Sequence, residues 1–162
     1  MDVDNRRALW AGLAGTAALT LILAWGPTVG APPLNLPLWD GTFFTLNLGM
    51  AVMIGYLVHF AIGVGLAFLF QRRFQGRWNV EPWLAGALFG FVVWLALMAV
   101  GLPVFDTLDP LVSNGLLTAP GLFAMGLGLT APAMLLLAHL VYGALVGAIT
   151  GVEQYQPVRR NA

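Results

Sequence analysis

The sequence contains no cysteine and no lysine, and it has few charges of either sign. Without cysteine there can be no disulfides, no iron–sulfur clusters and no thiolate chemistry. Charged residues make up 9% of the 162-residue chain, where ordinary soluble domains carry roughly 25%. With 59% hydrophobic residues and a mean hydropathy of +0.84, a soluble fold would expose apolar surface on every side, so lipid is the expected solvent. The formal net charge is zero, which removes the electrostatic argument for nucleic acid as a partner. Catalytic signatures are missing as well. There is no G-x-S-x-G, no H-E-x-x-H, no P-loop, and no carboxylate pair at helical spacing inside an apolar run. The chain therefore reads as non-enzymatic, without a catalytic centre or a protein-built metal site.

What is present is apolar length. Crossing a ~30 Å hydrocarbon core takes about 20 helical residues, and four stretches qualify: 8–26, 46–70, 82–101 and 131–151. None holds Asp, Glu, Lys or Arg. Pro82 and Pro132 sit where a first-turn proline is tolerated, and Gly26-Pro27 and Gly101 with Pro103 read as stops. Thr130 is placed to cap the last helix. The first run exceeds the 7–15 residues of a signal-peptide core and ends in Trp-Gly-Pro, so it reads as a retained span. The expected architecture is an all-α membrane protein, a four-helix bundle in a single membrane domain over 1–162.

Charge placement orients it. Arg6 and Arg7 precede span 1; Arg72, Arg73 and Arg77 lie in the loop 71–81 between spans 2 and 3; Arg159 and Arg160 follow span 4. With four spans all seven arginines share one side, while loops 27–45 and 102–130 hold Asp40, Asp106 and Asp109 and no cation. The positive-inside rule makes the arginine side cytoplasmic, with both termini there, in the cell's inner (plasma) membrane. These arginines are topology anchors that also meet anionic headgroups.

The two outer loops are rich in Pro and Gly yet apolar, so they are expected to fold down and cap the bundle. Short half-inserted helices are expected around 110–117 and 120–129, with Asp106 and Asp109 as turn or cap residues. The halves also resemble each other. Gly15 to Gly26 and Gly90 to Gly101 are both eleven apart, and His59–Gly63 matches His139–Gly143. This pattern predicts two repeated hairpins related by an axis along the membrane normal.

The two histidines fall near the middles of spans 2 and 4. Residues four apart share a helix face, which puts Ala51, Gly55, His59, Gly63 and Ala67 in one stripe and His139, Gly143, Gly147 and Gly151 in another. Small residues at that spacing are helix-packing positions, so each imidazole points at another helix. An intramembrane ionisable residue is a functional candidate by default. One reading is structural, with each ring hydrogen-bonded across an interface to Tyr56, Asn47, Trp94 or Tyr142. The other makes His59 and His139 axial ligands of a b-type haem, with coordinating nitrogens about 4 Å apart, twice a ~2 Å metal–imidazole bond. Asp40, Glu81, Asp106, Asp109 and Glu153 all map to loops or span edges, which leaves transport thinly supported.

The stretches Ala11-Gly12-Leu13-Ala14-Gly15-Thr16, Pro32-Pro33-Leu34-Asn35-Leu36-Pro37, and His59-Phe60 with Gly63 resemble a bacterial and archaeal family of small four-span membrane proteins of unknown function. The resemblance implies the four-helix architecture and no particular activity. The expected role is a non-enzymatic subunit or scaffold of an inner-membrane assembly, in contact with lipid and with a membrane-protein partner or a second copy. A haem electron-transfer module, and a small transporter or lipid-binding protein, are the alternatives.

Overall fold

Backbone inside hydrocarbon must satisfy its own hydrogen bonds, and a helix does so within one segment. The computed structural model describes residues 3–151, and they form helices without any strand. In chain order these are α1 (Val3–Trp25), α2 (Leu36–Thr42), α3 (Leu48–Arg73), α4 (Pro82–Ala96), α5 (Leu102–Leu108), α6 (Pro110–Ser113) and α7 (Thr130–Thr150). Four stretches, Val3–Val29, Leu48–Arg73, Pro82–Leu108 and Thr130–Thr150, are long and apolar enough to cross a membrane. The protein is a small helical membrane protein.

Several boundaries differ from those read along the sequence, each for a local reason. α1 and α3 continue over Arg6, Arg7, Arg72 and Arg73, because a long cationic side chain can reach past a helix end towards water. The third span does not stop at Gly101. A π turn over Leu97–Gly101 carries it into α5. Pro103 falls in the first turn of that segment, where its missing N–H leaves no bond unmade. Thr130 is the first residue of α7 rather than its cap, the preceding position being Leu129 with no side-chain cap. In the second outer loop the short elements are α6, capped by Asp109 through Leu111 and Val112 N–H groups, and a 3-10 segment over Leu122–Leu127. Asp106 accepts from Gly121 N–H at 2.8 Å. The loop is thereby tied back on itself.

The spans pack in the order α3–α1–α7–α4. At the arginine end, Gln71 donates to the Asp4 carbonyl and Gln75 to the Thr150 carbonyl, joining α1, α3 and α7. α4 and α7 meet along glycine. A Cβ on Gly86 would overlap the Gly143 carbonyl, one on Gly90 the His139 carbonyl, and one on Gly147 the Pro82 carbonyl. Gly151 lies against Pro82. α3 and α4 touch at the arginine end, where Phe89 stacks on Phe70 and on Phe74, both with ring centroids 5.3 Å apart. A two-fold axis exchanging the halves would require α3 to lie on α4 as α1 lies on α7. It does not, and the packing of the described residues departs from two-fold symmetry along that side.

Candidate functional site

The loop between α1 and α3 lays a short helix, α2, along the side of α3. A Cβ on Gly41 would overlap the Ala51 carbonyl, and one on Gly55 the Pro37 carbonyl. α2 therefore runs antiparallel to α3 in near-backbone contact, with its N-terminal end the deeper one. Asn35 caps that end through Leu38 N–H at 3.0 Å. Trp39 and Phe43 press on Phe105 of α5, each with centroids 5.7 Å apart, so the two outer loops hold each other.

This geometry brings Asp40 to His59. Side chains lean towards the N-terminus of their own helix. His59 on α3 leans to the loop end, Asp40 on α2 leans inward, and they meet. His59 Nδ1 lies 3.0 Å from Asp40 Oδ2. A carboxylate only accepts, so Nδ1 carries the proton. His59 lies eleven residues into α3, or about 16 Å from its loop end at 1.5 Å per residue. The carboxylate that the sequence places in an outer loop is thus the partner of the central imidazole. Tyr56, Asn47, Trp94 and Tyr142, the partners expected for the histidines, make no hydrogen bond to either ring; the rings bond Asp40 and the Leu135 carbonyl instead. Asn47 caps α3 through Met50 N–H, and the Trp94 indole N–H makes no hydrogen bond among the described residues.

His139 turns its Nδ1–H to the Leu135 carbonyl one turn back, at 2.7 Å, which leaves Nε2 as its lone-pair nitrogen. Tyr142 donates to the Gly63 carbonyl at 2.6 Å, tying α7 to α3. Thr16 of α1 presses against Gly63, where a side chain would collide with its hydroxyl.

Thr16, Asp40, His59, His139 and Tyr142 all line one cleft of about 160 Å³, walled by Leu19, Leu36, Ile62, Leu66, Val93 and Leu97. It occupies the side on which α3 and α4 stand apart. Leu97 opens the π turn, and such turns recur beside functional sites. Within this apolar wall two polar atoms, His59 Nε2 and Thr16 Oγ1, are buried without a hydrogen bond among the described residues. His59 is 8% exposed and Thr16 2%. An unsatisfied buried polar atom costs about 1–3 kcal/mol, so two on one cavity call for a function.

The small residues singled out by spacing are contact points inside the chain. Gly55 takes Pro37, Gly63 takes Thr16, Gly143 and Gly147 take Gly86, and Gly151 takes Pro82. Arg72 lies over the Phe68 ring at 5.4 Å, and Arg72, Arg73 and Arg77 all stand at the arginine end of α3 and its following turn. Arg159 and Arg160 lie outside the described residues. Among the described residues no cluster of three His, Asp or Glu side chains suited to a metal ion occurs.

Four apolar spanning helices, with a short helix that carries an aspartate down to a central histidine, define the class: a small polytopic membrane protein with a polar cluster in its apolar interior. The chain belongs to a family of unknown function (DUF6789), whose model matches residues 3–161. No curated protein and no solved structure matches it.

Proposed function

We propose that the protein binds a small lipid-soluble molecule in the cleft between α3 and α4, holding its polar head among Thr16, His59 and His139 while its tail leaves sideways into the bilayer. The observation that carries this reading is the pair of unsatisfied buried atoms on an apolar-walled cavity. Lipid-soluble ligands are recognised in this way, by apolar surface with a few convergent polar groups. At about 160 Å³ the cleft is below the ~300–1,000 Å³ of pockets for drug-sized ligands. It therefore suits one small ring or a head group. Ile62, half exposed on the rim, marks the side towards lipid.

A photoreactive alkylphenol tests this in lipid nanodiscs. Crosslinks are expected on Ile62, Leu66, Val93 and Leu97, are competed by unlabelled alkylphenol, and fall at least tenfold in Leu66→Trp, which fills the cleft. Labelling spread evenly over lipid-facing positions such as Met53 and Leu57, and unchanged in Leu66→Trp, would sink the proposal.

Bis-histidine haem ligation is the second reading, favoured because both imidazoles line one cleft with Nδ1 engaged and Nε2 left over. The room is short. Tyr142 ties α7 to α3 one turn from both histidines, so a porphyrin between them requires those helices to part. Its mark would be a haem α-band lost in His59→Ala and in His139→Ala. The scaffold reading loses the small-residue stripes as a face for partners, since they are spent within the chain.

For orientation, the proposal keeps the arginine end in the cytoplasm and the outer loops across an inner (plasma) membrane, supported by the one-sided arginines. The chain has no native thiol, so single cysteines report cleanly. Asn79→Cys is expected to label from the cytoplasmic side and Thr118→Cys from the opposite side. Labelling of both from one side would reverse this.

A further inference from the structure

The polar atoms around the cleft are mostly acceptors. His59 donates Nδ1–H to Asp40, and His139 donates Nδ1–H to the Leu135 carbonyl. Each ring keeps Nε2 for the cleft, and a neutral imidazole protonated on Nδ1 only accepts there. A further proton on the His59 ring would have to sit on Nε2, which is buried with no acceptor in reach. An orphaned charged donor costs more than an orphaned lone pair, so the ring stays neutral. Asp40, as a carboxylate, accepts only. Tyr142 spends its O–H on the Gly63 carbonyl, which leaves an oxygen lone pair. Thr16 supplies the single uncommitted donor, a hydroxyl that also accepts; it stands against Gly63, one helical turn from His59. The remaining lining side chains are aliphatic. The Trp94 indole N–H, a donor without a partner among the described residues, does not line the cleft.

A wall of this kind complements a head that donates. A carbonyl oxygen would set lone pair against lone pair and leave the imidazole nitrogens desolvated and unpaired. Sites built to bond a hydroxyl reject analogues that lack it for this reason. We infer that the cleft takes hydroxyl-headed molecules of the phenol and hydroquinone class and discriminates against the matching carbonyl compounds, with Asp40 setting that preference through His59. The inference rests on the binding proposal and narrows its ligand. Asp40 is a positioning residue. Which ring nitrogen of a histidine holds the proton is set by the bond the other nitrogen makes, and a carboxylate on Nδ1 keeps Nε2 bare. Gly41 on Ala51 and Gly55 on Pro37 bring α2 close enough to α3 for that bond, so the backbone contact that seats α2 also fixes the tautomer.

An alkylhydroquinone and the benzoquinone with the same chain differ only in donors, and both can compete with the photoreactive alkylphenol in anaerobic nanodiscs. The hydroquinone is expected to displace the label at a concentration at least about tenfold lower, the effect of one hydrogen bond to a buried group. Equal displacement by both, or a better quinone, would overturn the donor preference and leave the binding proposal standing. Displacement by neither would overturn the two together. The chain has two histidines, so protein labelled with 15N-histidine gives two imidazole ring systems, assigned with His139→Gln. The expected His59 signals are a protonated Nδ1 and a bare Nε2, and a proton on Nε2 in the unmodified protein would overturn the assignment directly. The Asp40→Asn amide can itself donate to Nδ1. In that variant the ring proton is expected to move to Nε2, and the hydroquinone preference to fall at least about threefold. A preference unchanged in Asp40→Asn would show that Asp40 does not set it.

Discussion

Replacing Gly143 by valine is expected to part α4 from α7 and abolish the folded state in detergent. A Cβ at this position would overlap the Gly86 carbonyl and crowd the Gly90 Cα. Those obstacles are backbone and cannot rotate away. Overpacking typically costs about 1–3 kcal/mol where side chains can adjust. Here whole helices must separate, and α4 on α7 is the most extensive contact in the bundle, so the loss should exceed about 3 kcal/mol. Gly65→Val is the matched control. Nothing lies within reach of a Cβ there, and an exposed substitution of this kind usually stays within about 0.5 kcal/mol. Thermal unfolding followed by circular dichroism separates the two variants. Equal midpoints would show that the glycine seam does not hold the bundle.

Gly55→Leu should strike the site while leaving the four spans in place. The new side chain would enter the Pro37 carbonyl, so α2 has to lift from α3 and carry Asp40 away from His59. Leu36 and Trp39, buried at 7% and 9% exposure, would then meet lipid headgroups or water. Two readouts are expected. Tryptophan emission shifts to the red, and a Leu36→Cys thiol, slow to label alone, labels at least tenfold faster with Gly55→Leu. Alkylphenol crosslinking in the cleft should fall in parallel, because Leu36 and Asp40 line it. A Leu36→Cys labelling rate unaffected by Gly55→Leu would mean that close backbone contact does not seat α2.

The cleft turns a structural weakness into a feature. Glycines admit backbone between α4 and α7 and, at Gly12, between α1 and α3, while Gly15 of α1 receives the Tyr142 ring of α7, the close approach that membrane helices use when no hydrophobic force draws them together. Between α3 and α4 the contacts at the arginine end are large aromatic rings instead. Rings of that size hold the helices apart, and the opening above them is where both histidines sit. The same asymmetry separates the packing from the two-fold relation that matching glycine spacings predict.

Hydrophobic length and charge position are properties of the chain read in one dimension, and the sequence alone determined them: four membrane-length helices, arginines sorted to one set of ends, and two histidines on small-residue stripes buried against neighbours. Asp40 was beyond that reach. A helix of seven residues is too short for periodicity to show, and proline and glycine around it mimic an ordinary loop. Its depth is decided by Gly41 on Ala51 and Gly55 on Pro37, contacts between segments whose meeting no local pattern announces. Only the tertiary structure, through the order in which the glycine faces pair, settled which helices stand apart, and so placed a carboxylate, two imidazoles and a threonine on one cavity.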